Sequence, residues 1–313
     1  MGRIQIKATF LDEVSTDIPH QNWGYEEWDR DFQAMKAIGI DTVVMIRCGL
    51  EKFLAYPSEL LMKERGAYRP PVDWVEMFLE LAGKYDMRFF FGTYVGHRWW
   101  GDKRIDFATE CALDKRIVAE AWERYSKYPA FKGWYLSKEI ATYHAEIVDE
   151  FVELGQYCKK ISGNLPILIS PAIQGAKAYN ENMVKLGNTI DPAEHEADWD
   201  RVMARLQGYV DIIAFQDGHV EIELLPTFLK INKKLCDKYG IQCWTNTETF
   251  DRDMPIDFLP IKWEKLRYKL KKAETAGVTR ALTFEFSHFM SPNSMYPSAH
   301  HLYNRYKEYL KEE

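Results

Sequence analysis

The sequence predicts an α/β protein built as one closed (β/α)8 (TIM) barrel that spans residues 1–313. Strand and helix patterns alternate strictly from end to end, in eight units of about 40 residues each. Parallel strands need helical crossovers, and eight such units at this length match a closed barrel. An open doubly wound sheet would want a glycine-rich turn after the first strand, but Phe10-Leu11-Asp12-Glu13 contains no Gly-x-Gly-x-x-Gly.

Each element follows from its own local pattern. In the first helix Trp28, Phe32, Met35 and Ile38 recur at helical spacing, and Gly39 ends it. The second strand is a continuous apolar run, which is typical of a buried parallel strand. The predicted strands are 4–11, 41–47, 87–95, 133–139, 166–172, 211–216, 242–248 and 279–286. The predicted helices are 25–38, 72–85, 107–127, 143–161, 196–207, 224–239, 261–276 and 297–311.

Composition excludes several classes of function. The net charge of −6 argues against nucleic acid or an anionic membrane as a partner, because both require a basic face. No run of eighteen apolar residues and no signal segment occurs, so we expect a cytoplasmic protein. The five cysteines lack Cys-x-x-Cys spacing, and we expect them to be reduced core residues, with no zinc site and no cofactor.

Aromatic residues make up 14% of the chain. Flat aromatic faces stack against the apolar faces of pyranose rings, although large cores use aromatic residues as well. The composition is therefore compatible with a carbohydrate substrate.

Polar and aromatic side chains concentrate at the predicted carboxyl ends of the strands, where barrel enzymes place their active sites. The amino ends carry an ordinary solvated rim, so the asymmetry indicates a site. The candidate residues are Asp12, Arg47, Tyr94, His97, Trp99, Trp100, Tyr135, Glu139, Gln216, Asp217, His219, Asn246, Glu248, Glu285 and His288.

Two glutamates stand out among these candidates. Glu139 ends the fourth strand and Glu248 ends the seventh, so their side chains approach each other across the barrel mouth. Burial raises the pKa of a carboxyl group, which suits a strand-end glutamate to proton transfer near neutral pH. A pair about 5–5.5 Å apart would favour glycosidic cleavage with retention, and about 6.5–9.5 Å would favour inversion. The plainer alternative is a solvent-facing Glu139 and a structural or substrate-binding Glu248.

The remaining candidates have weaker signals. Adjacent Trp99 and Trp100 in a glycine-bounded loop suggest sugar stacking, while His97, His219 and the Gln216-Asp217 pair suggest hydroxyl binding or plain loop polarity.

Glu285 is in register with Ala281 and Thr283, so we expect it to point into the barrel while Leu282, Phe284 and Phe286 face helices. There it would support the paired carboxylates, or pair with Arg47 or Lys7. The lysine-rich stretch 262–272 is interpreted as a solvated helix face.

Four motifs resemble a known family. They are Gly-Trp-Tyr-Leu-Ser-Lys-Glu139, Ile-Ile-Ala-Phe-Gln-Asp-Gly218, Trp-Thr-Asn-Thr-Glu-Thr-Phe250 and Phe-Ser-His-Phe-Met-Ser-Pro292. They are similar to those of a bacterial family of domains of unknown function, regarded as candidate glycoside hydrolases. More broadly, glutamates at the ends of strands four and seven resemble the clan of retaining (β/α)8 glycoside hydrolases. The resemblance covers nearly the whole chain.

The resemblance implies that Glu139 is the acid/base and Glu248 the nucleophile of a retaining glycoside hydrolase. One residue departs from the clan's pattern. Lys138 stands where the clan commonly has an Asn that binds the sugar's 2-hydroxyl.

Two other functions stay open at this point. A metal-dependent sugar isomerase or epimerase could use Glu139, Asp217, His219 and Glu285 as ligands, although the fifth strand ends without a carboxylate. A carbohydrate-binding barrel without catalysis would keep sugar binding but no turnover. The sequence leaves open the sugar, its anomer, exo or endo cleavage and the oligomeric state.

Overall fold

Eight parallel strands close into a barrel in the computed structural model of the protein, which describes residues 3–15, 18–96, 106–179, 184–254, 256 and 258–312. The strands neighbour one another in chain order, and the eighth pairs with the first. They are β1 Gln5–Leu11, β2 Thr42–Met45, β3 Arg88–Gly92, β4 Phe131–Tyr135, β5 Ile167–Ile169, β6 Ile212–Gln216, β7 Gln242–Asn246 and β8 Arg280–Thr283. The predicted (β/α)8 barrel is confirmed.

Helices connect successive strands. They are α1 Tyr25–Ala37, α2 Glu59–Arg65, α3 Trp74–Lys84, α4 Phe107–Tyr125, α5 Ala145–Ser162, α6 Pro192–Leu206, α7 Leu225–Tyr239, α8 Trp263–Thr275, α9 Phe286–Phe289 and α10 Pro297–Lys311. Helix α6 begins four residues earlier than predicted, because the Asp191 side chain accepts the Ala193 N–H at 2.7 Å and Pro192 suits the first helical position. The short helix α2, capped by Ser58, lies in what the sequence predicted as loop.

The barrel interior is filled by side chains that alternate along the strands. The interior residues are Ala8, Phe10, Val44, Ile46, Phe90, Tyr135, Leu168, Ile212, Ala214, Trp244 and Leu282. The Tyr135 ring meets the Phe10 ring edge-on at 5.1 Å between centroids. Gly133 leaves room for the Phe90 ring, since a Cβ at Gly133 would lie 2.2 Å from it. The Tyr135 ring therefore packs in the barrel interior.

The predicted register of β8 is wrong by one residue. Leu282 lies in the barrel interior with Phe284 packed against it, and Ala281 belongs to the core between strands and helices, the reverse of the prediction. Phe286, in helix α9, lies in that outer core as predicted. Glu285 lies beyond the strand, and its carboxylate accepts the N–H groups of Ser287 and His288. The strand ends at Thr283, and Glu285 begins helix α9 instead of extending the strand.

The predicted third strand is divided into two parts. The part beyond β3 leaves the barrel as Tyr94–Val95 and joins a three-stranded sheet with Gly49–Leu50 and Phe53–Leu54. The Tyr94 hydroxyl donates to the Glu51 carbonyl at 2.6 Å, and the ring lies in the core outside the barrel. Tyr94 was predicted to bind substrate. Its buried ring packs outside the barrel.

Lys138 points out of the barrel, although it stands where the retaining clan commonly has a sugar-binding Asn. Its ammonium lies 3.0 Å from the Asp114 carboxylate and also bonds Glu150, so it ties the end of β4 to helices α4 and α5. All three side chains are at least 94% buried. Lys138 therefore belongs to the charged contacts outside the barrel.

All five cysteines are buried and free, which confirms their predicted role as reduced core residues. Within the described ranges, none of the helices combines the length and the apolar character needed to cross a bilayer.

Replacing Lys138 with Met should destabilise the protein by about 3–5 kcal/mol, because it leaves two buried carboxyl groups without their cation. Urea denaturation gives the free energy of unfolding. The neutral triple variant Lys138→Met/Asp114→Asn/Glu150→Gln should recover most of the loss. An unchanged unfolding midpoint in Lys138→Met would contradict the ion triad.

Candidate active site

Glu139 lies four residues beyond β4 and is partly exposed, unlike its neighbours Lys138 and Ile140. The Tyr135 hydroxyl is buried in the barrel interior. Burial raises the pKa of Tyr135 well above its usual value, the charge of Glu139 raises it further, and Arg47 partly offsets the increase. These effects place Glu139 and Arg47 within electrostatic reach of the same hydroxyl at the barrel mouth.

Several polar atoms of the mouth have no partner among the described residues. Arg47 is only 8% exposed, yet it makes no ion pair or hydrogen bond with any residue that the structure describes, and its Nε is buried. The Tyr135 hydroxyl and the Asn246 Oδ1 are buried and unpartnered within the same ranges. Buried polar groups normally find partners, so these three unpartnered atoms are unusual among the described residues.

Gln216 and Asn246 both hydrogen-bond Ser170, which directly follows β5. The Gln216 amide donates to the Ser170 carbonyl at 2.8 Å, and the Asn246 amide donates to the Ser170 hydroxyl at 3.0 Å. These bonds cross the mouth side of β5, β6 and β7. They leave the Asn246 oxygen directed away from Ser170.

Glu248 lies two residues beyond β7, and its carboxylate is held by Arg252. The Arg252 Nε and one terminal nitrogen donate to the two carboxylate oxygens at 2.9 and 2.8 Å. Burial alone would raise the pKa of Glu248, but the charge and hydrogen bonds of Arg252 outweigh burial and hold the pKa below its usual value. The carboxylate is therefore ionised at neutral pH.

Gly218 provides the space that the Glu248 carboxylate occupies. A Cβ built on Gly218 would lie 1.5 Å from a Glu248 oxygen. The Arg252 guanidinium in turn lies 4.8 Å from the centre of the Phe250 ring. Glu248, Arg252 and Phe250 line a small pocket beside the ends of β6 and β7.

Asp217 lies behind Glu248 instead of facing the mouth. Its carboxylate is 2% exposed, accepts the Glu248 N–H at 3.1 Å and pairs with the Lys269 ammonium at 2.6 Å. His219 stays neutral, because burial and then the charge of Arg252 lower its pKa to about 4. Asp217 was predicted to bind substrate, and its described contacts are with Lys269 and the Glu248 N–H.

The β1 side of the mouth carries a second polar group of residues. Asp12 accepts the N–H groups of Val14 and Ser15, and its second oxygen is buried without a described partner. Burial raises the pKa of Glu13 to about 7, although His20 at 3.3 Å favours its ionised form. Asp12 was predicted as a site residue, whereas Glu13 and its raised pKa were not.

His288 joins this group as a cation. Its Nδ1 lies 2.6 Å from the Glu285 carboxylate and its Nε2 lies 2.7 Å from the Pro19 carbonyl, so both ring nitrogens face acceptors. Burial would lower the pKa of His288, but Glu285 outweighs it and raises the pKa to about 9. Glu285 was predicted to support the carboxylate pair, or to pair with Arg47 or Lys7, and its observed partner is His288.

Two residues important to the site were missed from the sequence. Arg252 lies in a loop, and no local pattern marks it. Lys269 was assigned to a solvated helix face, which is wrong, since it is 5% exposed. It shares the buried face of α8 with Leu266, Leu270 and Ala273, so the helical periodicity contained a usable signal.

The predicted residues His97, Trp99 and Trp100 lie outside the described residues. Among the residues that are described, no three histidine, cysteine, aspartate or glutamate side chains form a group that could hold a metal ion. Of the ligands required by the isomerase alternative, Asp217 and Glu285 are instead paired with Lys269 and His288.

The fold and the strand-end carboxylates define a (β/α)8 barrel with a polar site at the carboxyl ends of its strands. Residues 6–296 match the family model described as Domain of unknown function (DUF4434), and the chain belongs to this family. The resemblance identified in the sequence motifs is therefore confirmed. No curated protein matches the chain at a significant level.

Solved structures extend this comparison. A candidate alpha-L-fucosidase from Bacteroides thetaiotaomicron is 51% identical with a TM-score of 0.93, over 99% of this chain and 94% of that chain. An endo-beta-1,4-mannanase from Thermotoga petrophila is 11% identical with a TM-score of 0.59, over 99% and 77%. A beta-glucuronidase from an uncultured Clostridium species is 14% identical with a TM-score of 0.57, over 98% and 50%. At 11% and 14% identity the likeness shows the fold alone.

The His288 cation should make stability fall as the pH rises. The folded pKa of about 9 exceeds the ordinary value of 6.5, so its stabilisation is complete below 6.5 and is lost through about 9. The loss is on the order of 3 kcal/mol. Urea denaturation of the wild type and His288→Gln between about pH 6 and pH 10 isolates this contribution. Equal pH dependence in both proteins would contradict the assignment.

Proposed function

We propose that the protein is a retaining glycoside hydrolase in which Glu248 is the nucleophile and Glu139 the acid/base. The observation that carries the proposal is a carboxylate held ionised at the end of β7, opposite a partly exposed glutamate beyond β4. A nucleophilic carboxylate must be ionised before substrate arrives, and the Arg252 pair maintains that state. The folds shared with glycoside hydrolases support the same class.

The chemistry proceeds in two balanced steps. The Glu248 carboxylate attacks the anomeric carbon while the protonated Glu139 donates its proton to the glycosidic oxygen, and the bond to the leaving group breaks. In the second step the Glu139 carboxylate takes a proton from water. The water oxygen attacks the anomeric carbon and releases Glu248 with net retention.

The unpartnered groups of the mouth have a natural role in this reaction. Arg47 and the Tyr135 hydroxyl offer donors, and the Asn246 oxygen offers an acceptor, to the hydroxyl groups of a sugar. Lys138 takes no part in this contact because Asp114 and Glu150 hold it outside the barrel. The 51% identical structure makes α-L-fucosides the first substrates to test.

Turnover of aryl glycosides of both anomeric series, beginning with the α-L-fucoside, tests the carboxylate pair. Glu139→Gln should lower kcat by about 10²–10⁴-fold on substrates whose leaving group needs protonation, and much less on dinitrophenyl glycosides. Glu248→Gln should lower kcat on both types, because the covalent step is lost. The exposed Glu146→Gln is the matched control. Near wild-type rates in both variants would overturn the proposal, and sugar binding without turnover in the wild type would favour a non-catalytic barrel.

A 2-deoxy-2-fluoro glycoside of matching stereochemistry should trap the covalent intermediate on Glu248. Mass spectrometry of the digested protein should find the added sugar on the peptide that contains Glu248, and Glu248→Gln should abolish it. A sugar attached elsewhere would reassign the nucleophile. Turnover with inverted product stereochemistry and no adduct would replace retention with inversion.

A further inference from the structure

Every polar atom of Glu248 is held by a described residue. Its N–H donates to Asp217, its carbonyl accepts from Lys269 at 3.3 Å, and both carboxylate oxygens accept from Arg252. Lys269 also bonds the same Asp217 oxygen that receives the Glu248 N–H. One ion pair thus holds the backbone of the residue, and a second holds its side chain.

Both ion pairs are removed from water. The side chains of Asp217 and Lys269 are 1% and 5% exposed, and those of Glu248 and Arg252 are 3% and 17% exposed. Buried charges cost several kcal/mol each unless they are paired and hydrogen-bonded, so replacing them with apolar residues often does not destabilise a protein. Stability alone therefore does not account for two such pairs that converge on one residue.

We propose that Asp217, Lys269 and Arg252 are positioning residues that act through Glu248, and that the Asp217–Lys269 pair does so through the backbone without contact to the substrate. This inference rests on the proposed role of Glu248 as the nucleophile. Lys269 reaches the site from α8 and Asp217 from the end of β6, so the pair fixes the end of β7 against its neighbours. Arg252 sets the direction and the ionisation of the carboxylate.

Charged and titratable groups surround Glu248 from several elements, and Lys177, Asp251 and Lys265 line the same pocket. Asp217 and His219 follow β6, Lys269 belongs to α8 and Arg252 belongs to the loop after β7. His219 is neutral, and the negative charge of Asp217 is offset by Lys269. Arg252 is therefore the group whose removal should change the ionisation of Glu248 most.

The backbone pair is tested by the neutral double variant Asp217→Asn/Lys269→Met, which avoids an unpaired buried charge. Its kcat on the aryl glycoside identified above should fall about a hundredfold, since a nucleophile displaced by an ångström loses about that much. KM should stay within twofold of the wild type. The exposed pair Asp200→Asn/Lys238→Met, between α6 and α7, is the matched control and should change neither constant.

The outcomes of this comparison are distinct. A raised KM with kcat preserved would show that Asp217 contacts the substrate and would overturn the proposal. An unchanged kcat would overturn it as well. If kcat falls only in proportion to the fraction of protein that the 2-fluoro inactivator can label, the pair serves folding alone, and the proposal fails.

Arg252 is tested by a readout that needs no substrate. The carboxyl ¹³C signal of Glu248, identified as the one missing from Glu248→Gln, should titrate below the ordinary range in the wild type. In Arg252→Gln its pKa should rise by about one unit or more, and Arg252→Lys should restore part of the shift. The acid limb of the kcat/KM profile should move in the same direction.

An unchanged Glu248 titration in Arg252→Gln would refute the positioning role of Arg252, whatever the substrate is. Conversely, the Glu248 pKa could shift in Arg252→Gln although the wild type neither hydrolyses nor is labelled by any glycoside. That result would refute the proposed function and leave the ion-pair assignment intact. The two failures are therefore distinguishable.

Discussion

The alternation of side chains along the strands of a closed barrel is the constraint on which the site depends. Each residue near a strand end faces either the barrel axis or the surrounding helices, and a shift of one residue exchanges the two. Tyr135 and Asn246 face inward, whereas Lys138 and Asp217 face outward to charged partners. The site is therefore assembled from every second residue of the motifs that surround it.

Charged side chains that point outward from the barrel have oppositely charged partners, whereas some polar groups of the mouth have no described partner. Outside the axis, Lys138 and Asp217 each pair with an oppositely charged side chain on a helix. In the mouth, Arg47 and Tyr135 keep donors without a partner among the described residues. A buried polar group without a partner is costly, so their persistence in the mouth fits a surface that is completed by a polar ligand.

The sequence predicted the barrel and the two glutamates from strong local signals: eight repeats of apolar strand and amphipathic helix, and carboxylates just past two strands. It misplaced Tyr94 because the apolar run continues past the point where β3 leaves the barrel. It misplaced Glu285 because the alternating pattern from Ala281 to Phe284 was continued past Thr283, where β8 ends. The phase of that pattern was also decided by packing, since Leu282 lies in the barrel interior. Lys269 was interpreted as solvent-exposed because its neighbours are rich in lysine. Its helical spacing instead places it on the buried face of α8.

What the sequence by itself determined is the order of elements, the closed barrel and the presence of Glu139 and Glu248 at its carboxyl rim. These follow from periodicity and from turn and capping residues, which act within a few positions of the chain. Tertiary structure decided which charges pair: Arg252 with Glu248, Lys269 with Asp217, and His288 with Glu285 and the Pro19 carbonyl. The Lys269 and Pro19 contacts join groups more than fifty residues apart, and even the short-range pairs depend on loops whose direction is set by packing. Electrostatic pairing depends on distances in space, and local sequence patterns do not encode these distances.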